Sequence, residues 1–212
     1  MIYILSEKKY EGALNLPCIM IEFKEEKVDL AGYAALIFSS KNGVKAIDNI
    51  NSSWRELPSY SIGQGTSDEV RKLGGDVVYS ARSSYGDDFA KEIRAMLKGK
   101  KALFLRAEVV TSSLNTILEE AGVLLDESVV YETKCAECNT LKKPAEDSIL
   151  IFSSPSTIEC FFNCFSWDDS YKAVVIGDKT ASYMPKDVPF IQAPKQTIPS
   201  CIELAKTLDA LK

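Results

Sequence analysis

The residues of this sequence that could do chemistry are first of all the serines in turns that follow apolar strands. One turn, at residues 153–156, follows the apolar run Ile149–Phe152, and a similar turn at 39–42 follows Ala35–Phe38. The first N–H groups of a helix are unpaired and its dipole favours negative charge, so a strand leading into a helix can hold an anion. The hydroxyl groups can instead cap the helix, which stabilises it by about 1 kcal/mol without a ligand. The turns therefore predict anion binding, helix capping, or both.

Histidine chemistry is excluded because the chain contains no histidine, whereas it contains six cysteines. Cys135 and Cys138 have the spacing of redox and zinc motifs, but a single such pair is a weak signal. We expect both to be incidental cytosolic thiols. Cys160 and Cys164 lie four residues apart on a predicted helix, so they share a face and are expected to pack as small apolar residues.

Charge and hydropathy limit the possible partners. The formal net charge is −5 and no basic run occurs, which argues against a nucleic-acid surface. No apolar segment approaches the roughly 20 residues that cross a bilayer, and the N-terminal segment lacks the features of a signal peptide. We therefore expect a cytoplasmic protein without nucleic-acid or membrane partners. We also expect a monomer whose partner is a small-molecule substrate.

An internal repeat organises the chain. Phe38 and Phe152 are as far apart as Gly63 and Gly177, so the motifs around them recur in the same order. Strands alternate with helices in both halves, which predicts two parallel-sheet α/β domains of flavodoxin-like size. Within this pattern Thr66 is predicted to cap one helix, and another helix is predicted over 111–121.

Two extended segments decide where the domains are divided. Residues 18–24 and 127–133 read as paired crossing strands that link the domains. The division that follows gives domain one both chain ends and domain two the middle of the chain. The predicted ranges are 1–17 plus 134–212 for domain one and 25–126 for domain two.

Six short motifs in sequence point to a known family. In chain order they are I-F-S-S-K-N-G-V, I-G-Q-G-T, L-R-A-E, V-V-Y-E-T, I-F-S-S-P-S and I-G-D-K-T. Each alone is weak, but their order and spacing over essentially the whole chain resemble the uroporphyrinogen-III synthase family. The resemblance implies two flavodoxin-like parallel-sheet domains joined by a two-stranded antiparallel ladder, with the active cleft between them.

The resemblance also implies a reaction that needs no metal and no organic cofactor. The linear tetrapyrrole hydroxymethylbilane loses its hydroxyl group, its D ring is inverted through a spiro intermediate, and the macrocycle closes. The family's candidate catalytic side chain corresponds to Tyr131, whose phenol can donate a proton to the departing hydroxyl. The structural alternative is that Tyr131 is a β-favouring residue half buried at a domain junction.

The substrate carries acetate and propionate arms, so the family-like turns are the expected carboxylate sites. Arg106 matches the arginine of the family's L-R motif, and Lys179 is a weaker candidate because exposed lysines are usually solvated. Many relatives carry a second arginine about five residues after Arg106, which this chain replaces in its segment 108–111. The predicted substrate-binding residues are Ser39, Ser40, Asn42, Gly63, Gln64, Gly65, Thr66, Arg106, Ser153, Ser154, Pro155, Ser156, Gly177, Lys179 and Thr180.

Two other functions fit parts of the pattern. A non-enzymatic two-lobed module that binds a small anion would also explain the repeat and the turns. A flavin or nucleotide protein fits the flavodoxin-like layers, but the chain lacks the glycine-rich phosphate loops of both common nucleotide motifs. Conversion of hydroxymethylbilane, or binding without conversion, separates the enzyme from the module.

Overall fold

The computed structural model of the protein describes residues 1–6, 8–24, 27–82 and 85–211. The strands are β1 (Ile2–Ile4), β2 (Leu14–Asn15), β3 (Ile19–Phe23), β4 (Ala35–Phe38), β5 (Pro58–Ser61), β6 (Asp76–Ser80), β7 (Lys101–Ala107), β8 (Leu124–Cys135), β9 (Ile149–Phe152), β10 (Lys172–Val175) and β11 (Phe190–Gln192). The helices are α1 (Lys41–Ile50), α2 (Gly63–Lys72), α3 (Gly86–Leu97), α4 (Leu114–Glu120), α5 (Pro155–Cys164), α6 (Asp178–Ala181) and α7 (Ile198–Ala210). No helix among these described residues combines the length and apolarity needed to cross a membrane.

The chain divides into two compact units, each with its own sheet. Unit 1 consists of Met1–Met20 and Lys134–Lys212, and unit 2 of Ile21–Thr133. The predicted start of the second domain, at residue 25, lies outside the described residues, as does residue 212, the predicted end of the first.

Unit 1 contains a parallel sheet in the order β2-β1-β9-β10-β11. Numbered within the unit along the chain, this is the 2-1-3-4-5 order of flavodoxin-like sheets. All four residues of β9 are buried, because alternate side chains pack on opposite faces. Leu150 and Phe152 pack with Phe161 of α5, while Ile149 and Ile151 pack with the apolar face of α7.

Unit 2 repeats this arrangement with a permuted chain. Its sheet has the order β3-β8-β7-β4-β5-β6, in which β8 to β6 are parallel neighbours. If β7 and β8 are counted first, the parallel strands again follow the order 2-1-3-4-5. The predicted α/β class with mostly parallel sheets is confirmed.

The antiparallel ladder is formed by β3 and β8. The Lys24 N–H donates to the Val130 carbonyl at 3.0 Å, and the Ala136 N–H donates to the Cys18 carbonyl at 2.9 Å, so the two strands run in opposite directions. Strand β8 is more than a linker, because its residues from Leu124 to Tyr131 also pair in parallel with β7.

Two predicted helix starts differ from the structure. Helix α2 begins at Gly63 and contains Thr66, which is buried in its first turn instead of capping it. Gly63 has a φ of 62°, a conformation that glycine adopts without steric cost, and this lets the chain turn into the helix four residues early. Helix α4 begins at Leu114, later than the predicted residue 111.

The prediction of incidental thiols is wrong for Cys135 and Cys138, and Cys160 and Cys164 form disulfides instead of packing as free apolar residues. Cys135 is bonded to Cys160, and Cys138 to Cys164, so the face that the two helical cysteines share is joined to the Cys-x-x-Cys segment. The spacing within each pair could not reveal which segment lies opposite. The other two, Cys18 and Cys201, are free and buried.

Candidate active site

The carboxyl-terminal ends of four neighbouring strands bring the predicted residues of unit 2 to one sheet edge. These strands lie in the order β8-β7-β4-β5 and run in parallel, so their C-terminal ends share an edge. Ser39 and Ser40 follow β4, and Gly63 follows β5. Arg106 lies at the end of β7, and Tyr131 lies in β8 beside Ala107 of β7. We call this the unit 2 edge.

The turn after β4 is fixed by a cap and by a glycine. Ser40 has extended backbone dihedrals, and its Oγ accepts the Asn42 N–H at 3.1 Å, which caps α1. A Cβ atom at Gly43 would lie 2.7 Å from the Leu105 carbonyl oxygen. Gly43 therefore lets the first turn of α1 approach β7. This approach places Ser40 near β7, the strand that pairs with β8, which contains Tyr131.

A β-bulge sets the direction of the Tyr131 side chain. Arg106 pairs with Val129 and Ala107 pairs with Tyr131, so Val130 has no partner on β7. Bulges re-aim side chains and break the alternation of a strand. In agreement, the consecutive residues Val130 and Tyr131 are both buried, with Tyr131 only 6% exposed. The bulge thus places the tyrosine ring inward, in the cluster that contains Phe38 and Leu105.

The Tyr131 hydroxyl contacts the cap of α1. Burial raises the pKa of Tyr131 above its ordinary value of 10.0, and a hydrogen bond from Ser40, which favours the phenolate, partly opposes this rise in pKa. Tyr131 is therefore a neutral phenol at physiological pH and can donate a proton. An interaction with Ser40 that lowers the pKa of Tyr131 would also stabilise the phenolate that remains after proton donation.

Arg106 is held by acceptors within unit 2. Its Nε donates to the Glu127 carboxylate, and Nη1 donates to the carbonyl oxygens of Ala107 at 2.8 Å and Glu108 at 3.0 Å. Arg106 lines a cavity of about 250 Å³ together with Glu108 and Glu127. Its positive charge is thus largely balanced by carboxylates of the protein.

The first turn of α2 presents backbone groups at the same edge. Gly63 and Gly65 open this turn, and a Cβ atom added at either would meet no atom within 4 Å. Gln64 donates from Nε2 to the Asp68 carboxylate at 2.6 Å, and Thr66 is buried. The turn therefore offers open main chain rather than free side-chain donors.

Unit 1 carries the corresponding turns after β9 and β10, at its own carboxyl edge. Ser153 follows β9, Ser154 caps α5 and Pro155 is its first residue. The Ser154 N–H donates to Thr157 Oγ1 at 3.2 Å, and the Thr157 hydroxyl donates to the Ser154 carbonyl at 2.6 Å. These hydroxyl and backbone groups are paired with one another, and Ser156 lies in the first turn that they close.

The second turn of unit 1 leads into the short helix α6. Gly177 precedes this helix, and a Cβ atom there would lie 2.7 Å from Gln196 Nε2. Asp178 accepts the Gln192 Nε2 group at 2.9 Å, Lys179 is half-buried, and Thr180 is buried. The predicted residues of unit 1 therefore lie together at the carboxyl ends of adjacent strands.

Sequence reasoning missed several residues at the unit 2 edge. Lys24 pairs with Glu132 at 2.9 Å and with Glu108 at 3.8 Å, which surrounds the main chain of Tyr131 with charged groups. Glu127, the partner of Arg106, was also missed. The charged residues of V-V-Y-E-T and L-R-A-E indicate only the partners of Lys24 and Glu127, and which charges pair depends on which strands are neighbours.

Comparisons with known proteins agree with this architecture. A family model described as Uroporphyrinogen-III synthase HemD matches residues 6–203. A uroporphyrinogen-III synthetase structure from Helicobacter pylori is 29% identical, with a TM-score of 0.84 over 98% of each chain. A mutant uroporphyrinogen III synthase from Thermus thermophilus is 12% identical, with a TM-score of 0.61 over 99% of this chain and 98% of that one, and shares the fold. No curated protein sequence matches significantly.

Proposed function

The chain belongs to the uroporphyrinogen-III synthase family, and from this premise we propose that the unit 2 edge carries the chemical step, with Tyr131 as the general acid. The enzyme cyclises hydroxymethylbilane, with loss of water and inversion of ring D, to give uroporphyrinogen III in tetrapyrrole (heme) biosynthesis.

Proton donation by Tyr131 explains the loss of the hydroxyl group. The phenol gives its proton to the departing oxygen, the C–O bond breaks with its electrons going to oxygen, and water leaves. The phenolate that remains accepts the Ser40 hydroxyl hydrogen bond and regains a proton from solvent. The observation that carries this assignment is the burial of the Tyr131 phenol, 6% exposed, at the edge of the unit 2 sheet, where its raised pKa keeps it neutral.

Backbone amides are proposed to bind most of the substrate carboxylates. In unit 2 these belong to the turns at residues 39–42 and 63–66, and in unit 1 to the turns at 153–156 and 177–180. Helix N-termini attract anions without a net positive protein, which suits a chain of net charge −5. Arg106 can contribute only as part of its pair with Glu127, and Lys179 adds a positive charge at α6.

Positioning accounts for the choice of product. Hydroxymethylbilane also closes unaided to the un-inverted isomer I, so the enzyme must fold the substrate for the inverted closure. Preorganised donors and orientation can supply several kcal/mol of such discrimination. We also propose that the enzyme is cytoplasmic and acts as a monomer. Sedimentation at working concentration would test the monomeric state.

A coupled assay tests the function. Hydroxymethylbilane is generated in place, the protein is added, the product is oxidised, and isomers I and III are separated by chromatography. The proposal expects isomer III to predominate. Isomer I at the uncatalysed rate, from protein whose circular dichroism shows it folded, would contradict it.

A further inference from the structure

Four of the six cysteines converge in unit 1, outside the unit 2 edge. Two lie at and just after the end of the ladder strand β8, and two lie one helical turn apart on α5. Asn163 of α5 touches both sides of the group: its Nδ2 donates to Cys135 Sγ at 3.5 Å, and its carbonyl oxygen lies 3.7 Å from Cys138 Sγ. We call this group the cysteine cluster, made up of Cys135, Cys138, Cys160 and Cys164.

As two disulfides, the cysteine cluster is a redundant cross-link. The bonds join the same two segments and close loops with sequence separations of 25 and 26 residues. A disulfide stabilises a protein mainly by closing a loop in the unfolded chain. Once the first bond is formed, the second closes hardly any new loop, so stabilisation does not explain why four cysteines are present.

Four convergent sulfurs are instead what a tetrahedral metal ion requires. Cysteine pairs spaced Cys-x-x-Cys on a turn and four apart on a helix can all point to one centre, and zinc binds four thiolates at about 2.3 Å. Such a centre separates the sulfurs by about 3.8 Å. The Cα atoms of each pair are 5.0 Å apart, which leaves this separation within reach of side-chain rotation.

We propose that the reduced cysteine cluster is a structural site for a thiophilic divalent ion of the zinc class. In the disulfide form, the described residues contain no group of three or more side chains that could hold a metal. Each disulfide takes two electrons and two protons from a dithiol reductant, which becomes a disulfide. Zn²⁺ then displaces four protons from the four thiols, giving a tetrathiolate centre of net charge −2.

The surroundings of the cysteine cluster fit such a centre. Cys138 is exposed while Cys160 is buried, so a metal can enter from solvent and be held against the core. The Asn163 amide donates to one sulfur, as groups around metal ligands commonly do. The remaining thiols are poor competitors, because burial raises the pKa of Cys18 to about 12 and that of Cys201 to about 11.

The test measures metal binding by the full chain and does not depend on turnover. Protein reduced with a dithiol is dialysed against zinc and then measured for metal content, and its affinity is found by competition with a chromophoric chelator. Cobalt substitution reports tetrahedral thiolate ligation through its absorption spectrum. We expect one zinc per chain for the reduced protein and none for the disulfide form.

Variants identify the ligands. Loss of a residue that hydrogen-bonds to a metal ligand typically lowers metal affinity about 10- to 100-fold, and Asn163→Ala should lower zinc affinity within that range. Cys138→Ser removes a ligand itself and should lower zinc affinity by more than about 100-fold. Cys201→Ala, a buried cysteine outside the cluster, should bind as the wild type does. Tight zinc binding that survives Cys138→Ser would overturn the proposal.

The wild type alone decides the question if a variant does not fold. Reduced protein that shows six titratable thiols, keeps its folded circular dichroism and still binds no zinc or cobalt would overturn the metal site. Because none of these readouts uses hydroxymethylbilane, failure of the metal site is distinguishable from failure of the synthase assignment.

Discussion

Units 1 and 2 have the same strand order but different chemistry at their carboxyl edges. In unit 1, the hydroxyl of Thr157 and the backbone of Ser154 pair with each other. In unit 2, Ser40 caps α1 and also lowers the pKa of Tyr131, which burial raises. The fold thus supplies a strand-to-helix turn in each unit, whereas the proposed catalytic side chain lies in only one of them.

The difference arises in one strand. The counterpart of β8 in unit 1 is β2, which is two residues long, whereas β8 has twelve residues and a bulge at Val130. Strand β8 pairs with both β3 and β7, so it is long enough to place a side chain at the sheet edge, and its bulge turns that side chain inward. The tyrosine that we propose as the general acid therefore lies where the two units differ most in this strand.

Loss of the Tyr131 hydroxyl should have the largest effect. Tyr131→Phe removes the proposed general acid but keeps the buried ring, so kcat should fall by about 10²- to 10⁴-fold with KM little changed. The free energy of unfolding should change by about 1 kcal/mol or less. Initial rates and denaturant unfolding measure the two quantities.

Tyr171→Phe is the matched control in unit 1. Its buried hydroxyl donates to the Pro144 carbonyl at 2.7 Å, so the variant should lose about 1 kcal/mol of stability and keep its kcat. Equal losses of activity in the two variants would remove the distinction between the units.

Gly43→Ala should disturb the unit 2 edge through packing. The new Cβ would lie 2.7 Å from the Leu105 carbonyl oxygen, so α1 or β7 must shift, at a cost of about 1–3 kcal/mol in the free energy of unfolding. The rate should fall as well, because α1 carries Ser40. Thermal unfolding and initial rates measure both effects.

Gly65→Ala is the matched control for Gly43→Ala. The new Cβ would meet no atom within 4 Å, and alanine is more stable than glycine in a helix by about 0.5–1 kcal/mol. It should fold at least as stably as the wild type and raise KM if substrate carboxylates approach this turn. A destabilised Gly65→Ala would show that the turn is tighter than the structure indicates.

Ser40→Ala should have a smaller effect on the rate than Tyr131→Phe. It removes the cap of α1, worth about 1 kcal/mol, and the hydrogen bond that stabilises the Tyr131 phenolate, so kcat should fall by roughly tenfold. In unit 1, Ser154→Ala should cost similar stability and raise KM without lowering kcat. A kcat loss as large in Ser154→Ala would mean that both edges take part in the chemical step.

The pH dependence should show the smallest effect. A general acid must be protonated, so activity should fall as pH rises through the Tyr131 pKa, which burial places above 10.0. Ser40→Ala removes the interaction that lowers this pKa, so its alkaline limb should move to higher pH. An alkaline limb that moves to lower pH, in protein that remains folded, would contradict the Ser40 contact.

Local patterns were enough to predict the repeated parts of the molecule. The apolar run Ile149–Phe152 predicted a strand buried on both faces, and the serines that follow it predicted a turn into a helix. Repetition of both features identified the two α/β units. These predictions depend on residues that are close in sequence, where spacing carries the information.

Features that depend on contacts between distant segments could not be predicted. The bulge at Val130 is defined by pairing with β7, and the partner of Arg106 is on the neighbouring strand. The disulfides likewise join segments whose proximity no spacing reveals. The position of Tyr131 was found only through the family motif, since an alternating strand would not distinguish it from a core residue.

The product formed by Tyr131→Phe tests the central claim most directly. Wild-type and variant protein are supplied with hydroxymethylbilane generated in place, and the fractions of isomers I and III are measured at equal times. We predict isomer III from the wild type and mostly isomer I from the folded variant, because spontaneous closure overtakes the slowed enzyme. Isomer III formed by Tyr131→Phe at the wild-type rate would contradict the assignment of Tyr131 as the general acid.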